Sequence, residues 1–203
     1  MQFLKKLFEP SSVRKDVIIV SGLPRSGTSM MMKMLEAGGL EIVSDHLRTA
    51  DEDNPKGYYE FERAKKLPEG DTAWLDEARG KVVKVISELV KHLPPTHNYK
   101  VLFMRRTIGE ILASQQKMLE RRGKAGGAVS DEEMAALFDK HLKQVYAWMD
   151  GQPNLAYLDV DYNQMLREPR PILRQIKRFL GEGLDVDKMA AVADPSLYRQ
   201  RRI

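Results

Sequence analysis

The sequence predicts an α/β domain whose central sheet is mostly parallel and flanked by helices. Four short apolar runs lack the alternation of a half-exposed strand, which is typical of strands that helices cover on both faces. Longer segments with apolar residues at helical spacing separate these runs. This alternation favours parallel strands connected by helices. The predicted strands are residues 16–21, 81–86, 99–104 and 155–160.

Helix boundaries are marked by capping residues. A helix-forming segment follows Gly27 and ends before Gly38. Another segment begins at Ile108, with its apolar residues on one face. Ser130 and Glu133 form a capping box that opens a helix over residues 131–149, because each side chain bonds the other's backbone. A last amphipathic stripe runs from Ile172 to Leu180, and Gly181 closes it.

Length and composition exclude several classes of protein. The 203 residues fit one domain over residues 1–203. No apolar run approaches the roughly 18 residues that a membrane helix needs, and the first residues do not form a secretory signal. The absence of cysteine excludes disulfides, thiolate zinc sites and cysteine nucleophiles. We therefore expect a cytoplasmic protein without a membrane span, and with only four histidines we expect no metal site.

The net charge of +4 is unevenly distributed. Residues 1–162 carry 24 basic and 24 acidic side chains, whereas the last 41 residues carry nine basic and five acidic ones. A basic terminal segment favours contact with phosphate groups, or it forms a solvated helix face. Tyr198 is the one aromatic residue in the basic tail, so we do not expect a nucleic-acid partner.

The loop after the first predicted strand (residues 22–29, GLPRSGTS) has the composition of an anion-binding turn. Backbone N–H groups at a helix start point at a bound anion, and the helix dipole adds to the attraction. The loop departs from the nucleotide pattern G-x-x-x-x-G-K-[ST], since Thr28 stands at the lysine position and the basic residue is Arg25. This arrangement indicates an anion held by protein groups without a metal. The alternative is an ordinary capped turn.

A second candidate anion site follows the strand 99–104. Arg105 and Arg106 stand at its carboxyl end, and the next helix carries Ser114 about two turns in. Ligands of open parallel sheets bind beyond the carboxyl ends of the strands, and arginine binds phosphate with two parallel hydrogen bonds. The alternative is a pair of surface arginines, one of them paired with a carboxylate.

These motifs resemble those of sulfotransferases that depend on 3′-phosphoadenylyl sulfate (PAPS). The 22–29 loop resembles their 5′-phosphosulfate loop, and the Arg106-to-Ser114 spacing resembles their 3′-phosphate motif. Residues 159–181 are similar to the late strand of the family, with its tyrosine and the helix that follows. Residues 54–60 are similar to a segment of bacterial members. The resemblance implies a three-layer P-loop-type domain that transfers a sulfuryl group from PAPS to an acceptor hydroxyl or amine, leaving the bisphosphate PAP.

The resemblance also implies which residues bind the donor, with no metal among the ligands. Those implied to hold the 5′-phosphosulfate are Arg25, Ser26, Gly27, Thr28 and Ser29. Those implied to contact the 3′-phosphate and the adenine are Arg106, Ser114 and Tyr162, with Arg201 from the basic tail closing over the 3′-phosphate.

The residues that would carry the reaction are only partly identified. Arg25 is suited to stabilise the leaving oxygen, and Lys84 aligns with a second active-site lysine of the cytosolic members. Where those enzymes place a catalytic histidine, this chain has Ile86. The candidates for a replacement base, in order of preference, are Glu60, His46 and Asp45.

Other functions stay open at this point. One is a non-catalytic protein of this fold that binds PAP or another nucleotide, which the isoleucine at position 86 favours. Another is a divergent P-loop small-molecule kinase, which Thr28 in place of lysine disfavours. For the sulfotransferase we expect a small-molecule or carbohydrate acceptor, with lipid and peptide acceptors also open. Residues 44–80 and 121–129 are the expected acceptor loops, and the second of these is Gly-rich and expected to be flexible.

Overall fold

A five-stranded parallel sheet forms the centre of the protein. The computed structural model describes residues 16–45, 47, 59–121, 123, 129–181 and 183–193. The strands are β1 (Val17–Gly22), β2 (Ile42–Val43), β3 (Val82–Lys84), β4 (Tyr99–Arg105) and β5 (Leu155–Asp161). Their order in the sheet is β2-β3-β1-β4-β5, so β1 is central. This sheet confirms the predicted α/β class and all four predicted strands; β2, with two residues, was not predicted.

Helices connect the strands as the periodicity predicts. They are α1 (Thr28–Ala37), α2 (Glu62–Lys65), α3 (Ser87–Val90), α4 (Ile108–Arg121), α5 (Asp131–Asp150), α6 (Tyr162–Arg167), α7 (Pro169–Leu180) and α8 (Val186–Ala191). The capping box at Ser130 is present with both of its hydrogen bonds, and Gly38 and Gly181 follow the last residues of α1 and α7. None of the helices in the described part of the chain combines the length and the apolar composition that crossing a bilayer requires.

The two faces of the sheet bury separate apolar clusters. Ile18 and Val20 of β1 face a cluster that includes α1, α6 and α7. Val17 and Ile19 face the opposite cluster, to which α5 contributes. Three methionines of α1, Met31, Met32 and Met34, are fully buried, and methionine fills irregular gaps in a core. A layer of helices on each face therefore encloses the sheet.

Residues 59–80 are more ordered than their polar composition predicts. Trp74 is 2% exposed, and its Nε1 donates to the carbonyl of Asp71 at 2.9 Å. The Phe61 ring meets the Trp74 ring edge-on, with centroids 5.3 Å apart. This part of the expected acceptor loop therefore packs against the core. Residues 122 and 124–128 of the expected flexible segment lie outside the described residues.

The longest helix extends beyond the sheet. The 20 residues of α5 span about 30 Å, whereas the seven residues of β5 span about 23 Å. Asp150 ends α5 shortly before β5 begins at the amino edge of the sheet. The first turns of α5 must therefore project past the opposite edge, where the parallel strands end, which we call the carboxyl edge. In agreement, the buried residues of α5, Val145 and Met149, lie in its second half.

The capping box should control the stability of this projecting part of α5. The Ser130→Ala substitution removes the bond that Glu133 N donates to Ser130 Oγ at 3.2 Å, and such a loss costs about 1 kcal/mol. Because the first turns have little core contact, we expect this cost to appear as faster hydrogen exchange of their amides, roughly five-fold. The control is Gln144→Ala, an exposed position in the middle of the same helix. Unchanged protection of the first turn in Ser130→Ala would contradict this prediction.

Candidate functional site

The predicted site residues converge at the carboxyl edge because their strands are parallel. β1 ends in the 22–29 loop, β3 ends in Lys84, and β4 ends in Arg105. Lys84 is in register with Val20 near the end of β1, and its Nζ donates to Ser29 Oγ at 3.3 Å. The lysine predicted from the resemblance therefore reaches the start of α1.

The 22–29 loop needs its glycines for close packing. Gly27 has φ of 101°, and a Cβ there would lie 2.3 Å from Cδ2 of Tyr162. Gly22 has φ of 144°, and a Cβ there would lie 2.7 Å from the carbonyl oxygen of Met104. Arg25 also has a left-handed backbone, with φ of 68°, a conformation that a non-glycine residue adopts only when its surroundings enforce it.

The start of α1 suits a bound anion. Within the described residues, α1 has no side-chain capping bond and no acidic residue in its first turn. Ser26 is fully buried, and its Oγ has no hydrogen-bond partner among the described groups. A buried hydroxyl without a partner is costly, and an anion would satisfy it. Together with Lys84 and the helix dipole, these donors suit a bound anion.

Arg25 joins the two predicted anion sites. Its Nε donates to Oγ of Ser114 on α4 at 3.0 Å, and Ser114 is 7% exposed. The basic residue of the first site and the serine of the second therefore touch each other. The two sites form one continuous polar region along the carboxyl edge.

Arg106 is buried and already paired. Its side chain is 6% exposed, and its Nε donates to Oε2 of Glu110 at 3.0 Å. Its NH1 group donates to the carbonyl oxygen of Arg25 at 3.1 Å. Asn163 Nδ2 donates to the other carboxylate oxygen of Glu110 at 3.2 Å. Arg106 thus holds the backbone of the loop in addition to any contact with a ligand.

Tyr162 lies between the loop and this arginine. The guanidinium carbon of Arg106 is 4.6 Å from the centroid of the Tyr162 ring, and the edge of the ring carrying Cδ2 packs against Gly27. Burial raises the pKa of the Tyr162 hydroxyl, so the phenol is neutral at pH 7. The residue that the resemblance places near adenine therefore also forms part of the packing beneath the loop.

Arg105 makes a separate, more exposed set of contacts. Its NH1 group donates to the Tyr146 hydroxyl at 2.8 Å and approaches the Asp159 carboxylate at 3.5 Å. Its guanidinium also lies 5.3 Å from the centroid of the Tyr146 ring. The consecutive arginines therefore differ: Arg105 lies at the surface, and Arg106 lies inside.

Two of the candidate bases, Glu60 and Asp45, lie beyond β2, and both carboxylates already have a salt-bridge or hydrogen-bond partner. The Glu60 carboxylate pairs with Lys65 Nζ at 3.2 Å. The Asp45 carboxylate accepts from the backbone N–H of Glu62 at 2.6 Å, and the Asp45 backbone N–H donates to the Glu60 carbonyl at 3.3 Å. His46 lies outside the described residues, as does Arg201 of the basic tail. Among the described side chains, no group of three or more His, Cys, Asp or Glu is placed to hold a metal ion.

Glu110 is the site residue that sequence reasoning missed. It follows Arg106 by four positions at the start of α4, a spacing at which opposite charges pair on a helix. That spacing was the available signal. Its burial, at 4% exposure, depends on packing that the spacing does not show.

The charges of Arg106 and Glu110 should each be tolerated in the core only when the other is present. Arg106→Ala leaves the Glu110 charge buried without its main partner, and we expect a loss of about 3–5 kcal/mol in the free energy of unfolding. The double variant Arg106→Ala, Glu110→Ala removes both charges and should be less destabilised than the single variant. Chemical denaturation of the wild type, both single variants and the double variant measures this coupling. Additive effects would show that the pair is not coupled.

Comparison with solved structures identifies the fold. The structure matches the sulfotransferase STF1 from Mycobacterium tuberculosis H37Rv with a TM-score of 0.58 and 17% identity, covering 88% of this chain and 70% of that one. It matches the sulfotransferase domain of the curacin biosynthetic pathway with a TM-score of 0.52 and 13% identity, covering 92% and 87%. A sugar kinase from Janibacter sp. HTCC2649 matches with 14% identity over 89% and 99% of the chains, but at a TM-score of 0.40. No protein-family model and no curated protein sequence gives a significant match. The chain therefore has a sulfotransferase-like fold.

Proposed function

We propose that this chain is a PAPS-dependent sulfotransferase, folded as one domain, that transfers a sulfuryl group to an acceptor hydroxyl or amine. The observation that carries the proposal is the bond between Arg25 Nε and Ser114 Oγ. It joins the loop that resembles a phosphosulfate site to the motif that resembles a 3′-phosphate site. The sulfotransferase-like fold supports the same conclusion.

The start of α1 is the proposed site of the 5′-phosphosulfate. Backbone N–H groups of residues 26–29 and the hydroxyls of Ser26, Thr28 and Ser29 would donate to its oxygens. When bound there, PAPS supplies the activated sulfuryl group. Lys84 and Arg25 would neutralise the charge that develops on the leaving phosphate oxygen.

The start of α4 is the proposed site of the 3′-phosphate. Ser114 accepts its hydrogen bond from Arg25 and so keeps its own hydroxyl hydrogen to donate to a phosphate oxygen. Arg106 provides positive charge, which Glu110 partly compensates. Tyr162 and the basic tail around Arg201 would complete this end of the donor site, as the resemblance implies.

The acceptor must lose a proton during transfer. Glu60, His46 and Asp45 are the bases that the resemblance suggests. The Glu60 carboxylate would have to give up its pairing with Lys65, and the Asp45 carboxylate would have to release the Glu62 N–H. These pairings disfavour both carboxylates as the base.

A second candidate function is PAP binding without catalysis. Ile86 stands where cytosolic sulfotransferases place their histidine, and its side chain is 39% exposed at the carboxyl edge. An isoleucine cannot accept a proton. Turnover of PAPS distinguishes the enzyme from the binder.

Ligand-dependent melting tests donor binding. We expect PAP to stabilise the protein without added metal, by about 2.7 kcal/mol at a hundred times the Kd. Arg106→Lys keeps a charge beside Glu110 but removes the planar fork of donors, so it should weaken this PAP-dependent shift. The control is Lys117→Ala, an exposed residue of α4. Stabilisation by ATP with Mg²⁺ but not by PAP would instead indicate a kinase.

Arg25 should matter more for turnover than for product binding. Arg25→Ala removes the positive charge proposed to act on the leaving oxygen, so we expect PAPS consumption to fall by roughly 10²–10³-fold. PAP binding should weaken less, because the helix start and Ser114 remain. Arg25→Lys is the matched control and should retain part of the rate. An undiminished rate in Arg25→Ala would remove Arg25 from the mechanism.

A further inference from the structure

A serine, a histidine and a glutamate are hydrogen-bonded in series where α3 meets α5. Ser87 Oγ lies 2.8 Å from His141 Nε2, and His141 Nδ1 lies 3.2 Å from the Glu88 carboxylate. A carboxylate accepts hydrogen bonds only, so these partners assign the proton to Nδ1 and the lone pair to Nε2. The hydrogen bond from Lys91 holds the pKa of Glu88 below its usual range, which keeps the carboxylate charged. An imidazole held in this way is oriented to accept a proton.

This cluster lies at the edge that carries the proposed transfer site. Ser87 opens α3 only three residues after Lys84, the residue that bonds Ser29. Three residues of chain span at most about 11 Å. The cluster therefore lies at the carboxyl ends of the strands, where ligands of parallel sheets bind.

His141 lies in the middle of α5, next to its buried half. Leu137, His141 and Val145 are four residues apart and so share one face of the helix. Val145 is 3% exposed and Leu137 is 54% exposed, while the His141 side chain between them is 20% exposed. The imidazole is thus partly accessible, while Ser87, which lies against its Nε2, is 2% exposed.

Two exposed apolar side chains accompany the charged Glu88 and Lys91 near the ring. Ile86 precedes Ser87 directly and is 39% exposed, and Leu137 lies one turn from His141. Exposed branched side chains near a polar group suit a ligand with an apolar body and one polar atom. A phenol or another apolar alcohol has this chemistry.

We propose that His141 is the general base for the acceptor and that the acceptor is a hydroxyl compound with an apolar body. This inference rests on the proposed sulfotransferase function. Ser87 and Glu88 are positioning residues that hold the ring and fix its tautomer. The site replaces the histidine that the chain lacks at position 86 with one supplied by a different helix.

Because Ser87 is 2% exposed, its side chain must first turn away from His141 Nε2, and the acceptor hydroxyl then takes its place there. Its oxygen forms a bond to sulfur while the bond from sulfur to the phosphate oxygen breaks, and that electron pair leaves with PAP. The acceptor proton passes to Nε2, and the Glu88 carboxylate stabilises the resulting imidazolium.

The experiment measures PAP release from PAPS with 2-naphthol as the acceptor probe and with glucosamine as the polar comparison. We expect turnover with 2-naphthol and a much slower rate with glucosamine. His141→Gln retains hydrogen-bonding capacity toward Ser87 but cannot take up a proton, so the rate should fall by roughly 10²–10⁴-fold. The matched control is His92→Gln, half-buried just after α3, which should keep the wild-type rate. Added imidazole should partly restore the rate of His141→Ala.

The other outcomes are decisive against the inference. A wild-type rate in His141→Gln, or a slow His141→Ala that imidazole does not rescue, would show that the histidine only anchors α3 to α5. Faster turnover with glucosamine than with 2-naphthol would overturn the apolar acceptor. In each of these cases PAP would still raise the melting temperature, so the proposed donor binding would remain supported. If PAP binds but the wild type releases no PAP from PAPS with either probe, the enzyme proposal fails and the base fails with it.

Discussion

The buried guanidinium of Arg106 is the interaction on which the shape of the candidate site depends. A charge at 6% exposure is tolerated only with a partner, and Glu110 supplies it at 3.0 Å. The same guanidinium binds the carbonyl of Arg25, 81 residues earlier in the chain. That contact helps to hold Arg25 at a φ of 68°, a backbone that the loop would not adopt unaided. Arg106 therefore connects the stability of the core to the conformation of the 22–29 loop.

The parallel sheet determines where chemistry can occur in this protein. Every strand ends at the same edge, so residues distant in sequence meet there without a dedicated scaffold. The loop after β1, Lys84 after β3 and the arginines after β4 come together for this reason. The length of α5 adds a further element, because its first turns project past that edge and carry side chains that the core does not use. Strand direction thus brings the candidate donor-binding groups to one edge of the sheet.

The sequence predicts the parts of the structure that follow from local patterns. Continuous apolar runs predicted four strands, and Ser130 with Glu133 predicted the start of α5. Both features depend on residues that are neighbours in the sequence. The resemblance implied an active-site role for Lys84, and strand direction explains why its side chain reaches Ser29. The burial of Arg106 was not predictable, since it depends on Tyr162 filling the space beside Gly27. The two residues of β2 are too few to form a pattern.

The Ser87–His141 contact shows why the choice of base escapes motif reasoning. A motif records a residue at a fixed distance along the chain, and by that measure Ile86 leaves the chain without a catalytic histidine. Proton transfer instead requires a lone pair within hydrogen-bond reach and a partner that fixes the ring, whatever element supplies them. Ser87 and His141 are 54 positions apart and meet because α3 packs against α5. The proposed base is therefore visible only in three dimensions, because it lies on a different element from Ile86.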